Sequence, residues 1–222
     1  MARAELFLHE QLMLLSLKDK EGTIFGGTHY AFAIGGAVLA ELLMSERIDL
    51  TAGKKKDRVQ LLDAKGYGDP ILDETLEKLA AAKRPRSMQD WVTIVANMKQ
   101  LKHRVAKQLC RRGILRADED KVLLIFTRKI YPELDPGPER ELMGRLESVI
   151  FEGAEPDPRT AVLIALADHA GVLRAVFDKK RLKAHRERLK NISDGSSTAQ
   201  ATKAAIEAMQ AAVMAATVVT AS

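Results

Sequence analysis

Cysteine is almost missing from this chain: Cys110 stands alone among 222 residues. A single thiol can form neither an internal disulfide nor a cysteine zinc cluster, so a disulfide-stapled secreted domain is excluded and a reducing, cytosolic setting fits. On a helix such a thiol reads as inert. Long apolar runs are missing too, since no segment offers the roughly 18 uninterrupted apolar residues of a spanning helix. The nearest approach, IEAMQAAVMAATVVTA from Ile206, contains Glu207 and Gln210 and is rich in alanine. It reads as a closely packed core helix. The N-terminal MARAELFLHEQLMLLSLKDKEG starts with a positive charge and an apolar stretch, but Glu5, His9, Glu10 and Gln11 interrupt it and no small-residue cleavage site follows. A secretory signal is therefore not expected. Signatures of catalysis are equally scarce: no Walker loop, no paired-glycine dinucleotide turn, no HExxH and no cysteine pairs. Asp168-His169 could supply acid and base, yet nothing supplies an activated nucleophile or an orienting third group. No catalytic residue, metal site or cofactor is expected, and the chain does not read as an enzyme.

Apolar residues make up 46% of the chain, enough for a substantial core. The formal charge of +5 and a pI of about 9.3 favour an anionic partner, which leaves nucleic acid, phospholipid headgroups and acidic proteins open. LFLHEQLMLLSL has helical spacing and stops before Gly22. Tyr30 to Met44 forms a strongly apolar helix in which Gly35 and Gly36 predict close packing against a neighbour. Two short strands flank the basic turn Gly53 to Lys56. Asp69-Pro70, Ser87 and Asp157-Pro158 are helix starts with a capping side chain, two of them with proline at the first position. A basic helix spans about Met98 to Arg112. Two strand-like runs then surround an acidic turn, Asp118 to Asp120, and a second very basic helix runs from Lys179 to Lys190. Ser193 to Ser197 links it to the final alanine-rich helix. The expectation is mainly α: a single globular helical domain over 1–222, with a few short strands and a protruding hydrophobic β-hairpin.

Chemistry concentrates in two adjacent stretches. In MKQLKHRVAKQLCRR, Met98, Leu101, Val105 and Leu109 form one apolar arc, while Lys99, His103, Arg104, Lys107 and Arg111 lie on the opposite one. Lys102 falls at the border of the apolar arc with Lys99 one turn before it, so two ammonium groups can converge on one phosphate; snorkelling from the core edge is the plainer alternative. KVLLIFTRKIY follows, with Val122, Leu123, Leu124, Ile125 and Phe126 consecutive and apolar, then Arg128 and Lys129. Three readings stay open. A winged helix would set the basic helix in the major groove and Arg128-Lys129 on phosphate. A membrane hairpin would bury Leu123 to Phe126 in a bilayer interface. Burial within the protein, or a homo-oligomer contact, is the third. DNA gives consecutive large apolar side chains little reward, so nucleic acid is the disfavoured partner.

LFLHEQLMLLSLKDKEG, AVLAELLMSERIDL, GDPILDETLEKL, SMQDW, LKHRVAKQLCRRGIL and DPRTAVLIALADHAGVL occur in this order. In this combination the chain resembles the Golgi phosphoprotein 3 family over almost its whole length. The resemblance implies a helical domain, peripheral on the cytosolic face of membranes, that binds phosphatidylinositol 4-phosphate and inserts a hydrophobic hairpin. In eukaryotes it also implies an adaptor for the cytosolic tails of Golgi glycosyltransferases. Two basic headgroup ligands of the family fall on Lys99 and Lys102. The inserting residues fall on Leu123, Leu124, Ile125 and Phe126, with Arg128 and Lys129 adding attraction. The family's second-helix arginine falls on Gly35, and its loop tryptophan falls within Phe25-Gly26-Gly27, where Phe25 can supply part of the apolar contact. The first matching block begins at about Leu6, so the basic N-terminal arm is expected to be absent, as in a bacterial member. Lysine lacks arginine's bidentate fork, so the expectation is anionic-lipid binding with relaxed phosphoinositide preference.

Overall fold

A computed structural model describes residues 5–18, 22–24, 28–51, 57–122, 126–195 and 206. Its organising element is the apolar helix of the second segment, α2 (Thr28–Met44). A helix that is apolar all round has no face for solvent and ends up enclosed. From Phe32 to Leu42 every residue is indeed buried. Around α2 pack α1 (Leu8–Leu15), α3 (Pro70–Ala80), α4 (Met88–Ala96), α5 (Leu101–Arg111) and α7 (Pro158–His169). The helix α6 (Gly137–Phe151) covers α1 and α7, and the short α8 (Leu173–Val176) follows α7. The chain then forms α9 (Lys179–Ala184) and α10 (Arg186–Ser193), the latter lying along α7. Among the described residues three antiparallel two-stranded ladders decorate this bundle: β1 (Leu17–Lys18) with β2 (Thr23–Ile24), β3 (Ile48–Thr51) with β4 (Arg58–Leu61), and β5 (Asp118–Val122) with β6 (Phe126–Ile130). The mainly helical architecture with short strands is as the sequence predicts.

Local chemistry sets several helix starts. Asp69 accepts from the backbone N–H groups of Ile71 and Leu72, Ser87 from that of Asp90, and Asp157 from that of Thr160. Each thereby satisfies donors that the first turn cannot pair internally. Gly35 packs as expected. A Cβ there would sit 2.8 Å from the Val92 carbonyl oxygen and 3.3 Å from the Ala96 nitrogen, so α2 and α4 touch backbone to backbone. Gly35→Ala is expected to destabilise the fold by about 1–3 kcal/mol, because the crowding outweighs the smaller gain in helix propensity. Urea denaturation checks this, and a variant at least as stable as the parent contradicts it.

The structure corrects several expected boundaries. The first helix ends at Leu15, and Gly22 lies beyond strand β1 rather than at a helix terminus. The predicted helix from Met98 starts only at Leu101, because Gln100 adopts a left-handed conformation (φ 55°). The single basic helix Lys179–Lys190 is two, broken at His185. Ser193 belongs to α10 instead of a linker. Asp118 to Asp120 form no turn; they are the first residues of β5. The turn Gly53–Lys56 lies wholly outside the described residues, as does the expected C-terminal helix apart from Ile206, which is helical and buried.

Candidate anion site at the hairpin base

The basic helix α5 buries Met98 ahead of it and Leu101, Val105 and Leu109 along it, which is the apolar arc its sequence spacing requires. That anchoring fixes where the cations point. Lys102, in the first turn, is half-buried, and its ammonium lies 5.4 Å from the centre of the Tyr30 ring on α2. Burial draws its pKa below the ordinary lysine value. A lysine in this position is incompletely hydrated and gains more from an incoming anion than one in open water. Lys99 is exposed in the turn before α5. The two therefore do not share consecutive turns of one helix, as their spacing predicted, but flank a helix N-terminus. No side chain caps that terminus, and its first-turn N–H groups carry the positive end of the helix dipole.

The hairpin reaches this site through its base. Its ladder runs from Asp118↔Ile130 to Val122↔Phe126, and the joining residues Leu123, Leu124 and Ile125 lie outside the described residues, as does Phe25. After β6, Tyr131 is buried and its hydroxyl meets His103 Nδ1 on α5 at 2.9 Å. The Tyr131 backbone N–H donates to the Gly22 carbonyl at 2.8 Å. Gly22 has φ +70°, and a Cβ on it would overlap the Tyr131 carbonyl at 2.1 Å, so only glycine lets the β1–β2 hairpin meet the larger one here. His103 reports on the surroundings. Its pKa is lowered first by burial, then by the positive charges of Lys129, Lys102 and Lys107. Three lysines from two elements thus raise the positive potential felt at one imidazole.

The structure adds neighbours that the sequence reading did not name. Lys102 lies over Tyr30, His103 meets Tyr131, and Lys107 and Lys129 both act electrostatically on His103. His103 and Lys107 were legible only as a polar helical arc, and nothing local marked the tyrosines. Phe126 and Arg128 lie in β6, not at a basic tip: the register sets Asp120 opposite Arg128 and Glu119 opposite Lys129. Cys110 is half-buried, and burial pushes its thiol pKa up against the lowering influence of Lys107, consistent with an inert thiol. Among the described residues no group of three or more His, Cys, Asp or Glu could hold a metal ion. No helix among them is long and apolar enough to cross a membrane.

The family model for Golgi phosphoprotein 3 matches residues 8–211. The chain belongs to the Golgi phosphoprotein 3 family. A vacuolar protein sorting-associated protein 74 from Eremothecium gossypii is 27% identical over 205 residues, covering 78% of this chain and 61% of that protein. The chain thus spans less than two-thirds of that relative's length. Within this Golgi phosphoprotein 3 member, Gly35 occupies the place where the family resemblance sets an arginine. The α4 backbone fills the space beside it, so no long side chain fits there unless α2 and α4 move apart.

Proposed function

We propose that this Golgi phosphoprotein 3 member docks as one domain, without a catalytic step, on the anionic cytosolic face of a membrane. Lys99 and Lys102 hold a lipid phosphate at the uncapped start of α5, with Lys107 and Lys129 adding positive potential. Leu123 to Phe126 enter the interface at the far end of the hairpin ladder. One observation supports the reading: the hydroxyl of Tyr131, which follows the hairpin, meets His103 on the same turn of α5 as the half-buried Lys102, so the basic helix start lies at the base of the hairpin that carries the apolar run. Phosphate attraction and apolar insertion are therefore mechanically joined through Tyr131 and Gly22. Two-signal docking of this kind is needed because a single weak anchor detaches readily. Phosphatidylinositol 4-phosphate is one acceptable headgroup. Point-charge lysines and the closed space at Gly35 favour anionic lipids in general over a geometric fit to one monoester. The relative's name refers to protein sorting, and a membrane-docked domain could offer its outer face to the tails of membrane proteins.

Each cation near an anionic surface contributes about 1 kcal/mol. Lys99→Ala with Lys102→Ala is expected to weaken binding to phosphatidylglycerol vesicles by roughly thirtyfold at low salt. Binding unchanged in a folded double variant removes the site.

A further inference from the structure

The second basic segment is not needed for that docking site, and its two sides behave differently. On the side facing α6, its arginines are occupied. Arg181 pairs with Glu147 at 3.4 Å, and Arg188 donates to the carbonyls of Val149 at 2.7 Å and Ala154 at 2.5 Å. On the side facing the end of α7 lies a cleft of about 600 Å³. Lys179, Lys183, Arg186 and Lys190 recur there at helical spacing across the break at His185, and Arg174 joins them from α8. Among the described residues none of these five cations makes an ion pair. Leu182 and Leu189, both nearly buried, form the apolar floor.

The cleft holds five cations against two carboxylates, Asp168 and Asp194, a net +3 with histidine neutral. His169 also lines it, and its Nδ1 is buried without a hydrogen-bond partner. Solvated lysines on a convex face need no ligand. Here they converge on a recess with an apolar floor and an unsatisfied ring nitrogen, within the size range of small-molecule clefts. Low-dielectric walls and charges of one sign focus the potential onto the recess.

We propose that the cleft between the end of α7 and α9–α10 is a second anion site, separate from the lysines at the hairpin base, for a compact, multiply charged phosphate-bearing ligand. The apolar floor carries the non-phosphate part of the ligand while the cations hold its phosphates. Arg174 and Arg186 supply bidentate contacts and the three lysines supply point charges. A soluble phosphate ester and a polyphosphorylated lipid headgroup share this chemistry.

Calorimetric titration with inorganic tripolyphosphate at physiological ionic strength tests the site on the full chain. Saturable 1:1 binding is expected, weakened roughly tenfold or more by Lys183→Glu with Arg186→Glu. Lys65→Glu with Lys83→Glu, far from both sites, makes the same change in net charge and is expected to alter the affinity by no more than about threefold. All four positions are exposed, and Lys179→Gln with Lys190→Gln provides a gentler cleft variant if the reversal impairs folding. Equal losses in the two charge-reversed proteins would mean attraction to net charge only, and would overturn the site, as would the lack of saturable binding. Vesicles carrying phosphatidylinositol 4,5-bisphosphate separate the two sources. Weaker vesicle binding by the cleft variant assigns a headgroup, and unchanged vesicle binding with tripolyphosphate binding lost assigns a soluble ester.

Discussion

Arg159→Ala is expected to destabilise the protein by about 3–5 kcal/mol, a large share of the roughly 5–15 kcal/mol that holds a domain folded. Arg159 on α7 donates to both carboxylate oxygens of Glu41 on α2, at 2.8 and 2.9 Å. The same Glu41 accepts from the Leu8 backbone N–H at the start of α1, at 2.8 Å, and Arg159 also donates to the Leu6 carbonyl at 3.2 Å. One bidentate pair therefore ties together three helices around the core. Glu41 is only 4% exposed. Removing the guanidinium leaves a buried carboxylate with a single backbone donor, and that uncompensated charge produces the loss. The expected remedy is Glu41→Gln added to Arg159→Met, because a neutral amide still accepts from Leu8 without needing a counter-charge. Chemical denaturation at neutral pH checks both. A loss below about 1 kcal/mol for Arg159→Ala would place the pair among ordinary surface ion pairs.

Leu124→Ser with Phe126→Ser is expected to lower vesicle affinity by about a hundredfold or more. Burying a large apolar side chain contributes roughly 1.5–3 kcal/mol, so two such losses dominate the charge contribution of any single lysine. The sequence strengthens this expectation. The two hairpin strands carry Asp118, Glu119 and Asp120 beside Lys121, Arg128 and Lys129, so their formal charges balance and most of the hairpin's affinity for a membrane comes from its apolar residues. The two components separate by salt. Lysine attraction fades as the screening length shortens, while apolar insertion does not. The serine variant should therefore retain a weak, strongly salt-dependent affinity. Vesicle flotation at two salt concentrations measures it, and affinity within about threefold of the parent would mean the apolar run serves a protein contact instead.

Much of the helical frame was legible because its signals are local. Asp69, Ser87 and Asp157 cap their helices with their own side chains. The burial of Leu101, Val105 and Leu109 follows from their spacing alone. The errors fall where distant contacts decide. Asp118 to Asp120 read as a turn because acidic residues disfavour strands. Their partners Arg128, Lys129 and Ile130 make them a strand. Gln100 takes a left-handed conformation with no glycine to announce it, which shifts the start of α5 and moves Lys99 off the helix. Gly22 resembled a helix stop, yet what it accommodates is the Tyr131 backbone, more than a hundred positions away. The contact of His103 with Tyr131 has no sequence signature at all. Residue types at the site were readable, but their convergence was not.

Co-sedimentation with vesicles of three compositions tests the central claim most directly: neutral phosphatidylcholine, the same with phosphatidylglycerol, and the same with phosphatidylinositol 4-phosphate. The account predicts binding to both anionic vesicles, little to the neutral one, and loss on changing Lys99 and Lys102 to alanine. Equal binding to neutral and anionic vesicles, or none to any of them, would contradict it.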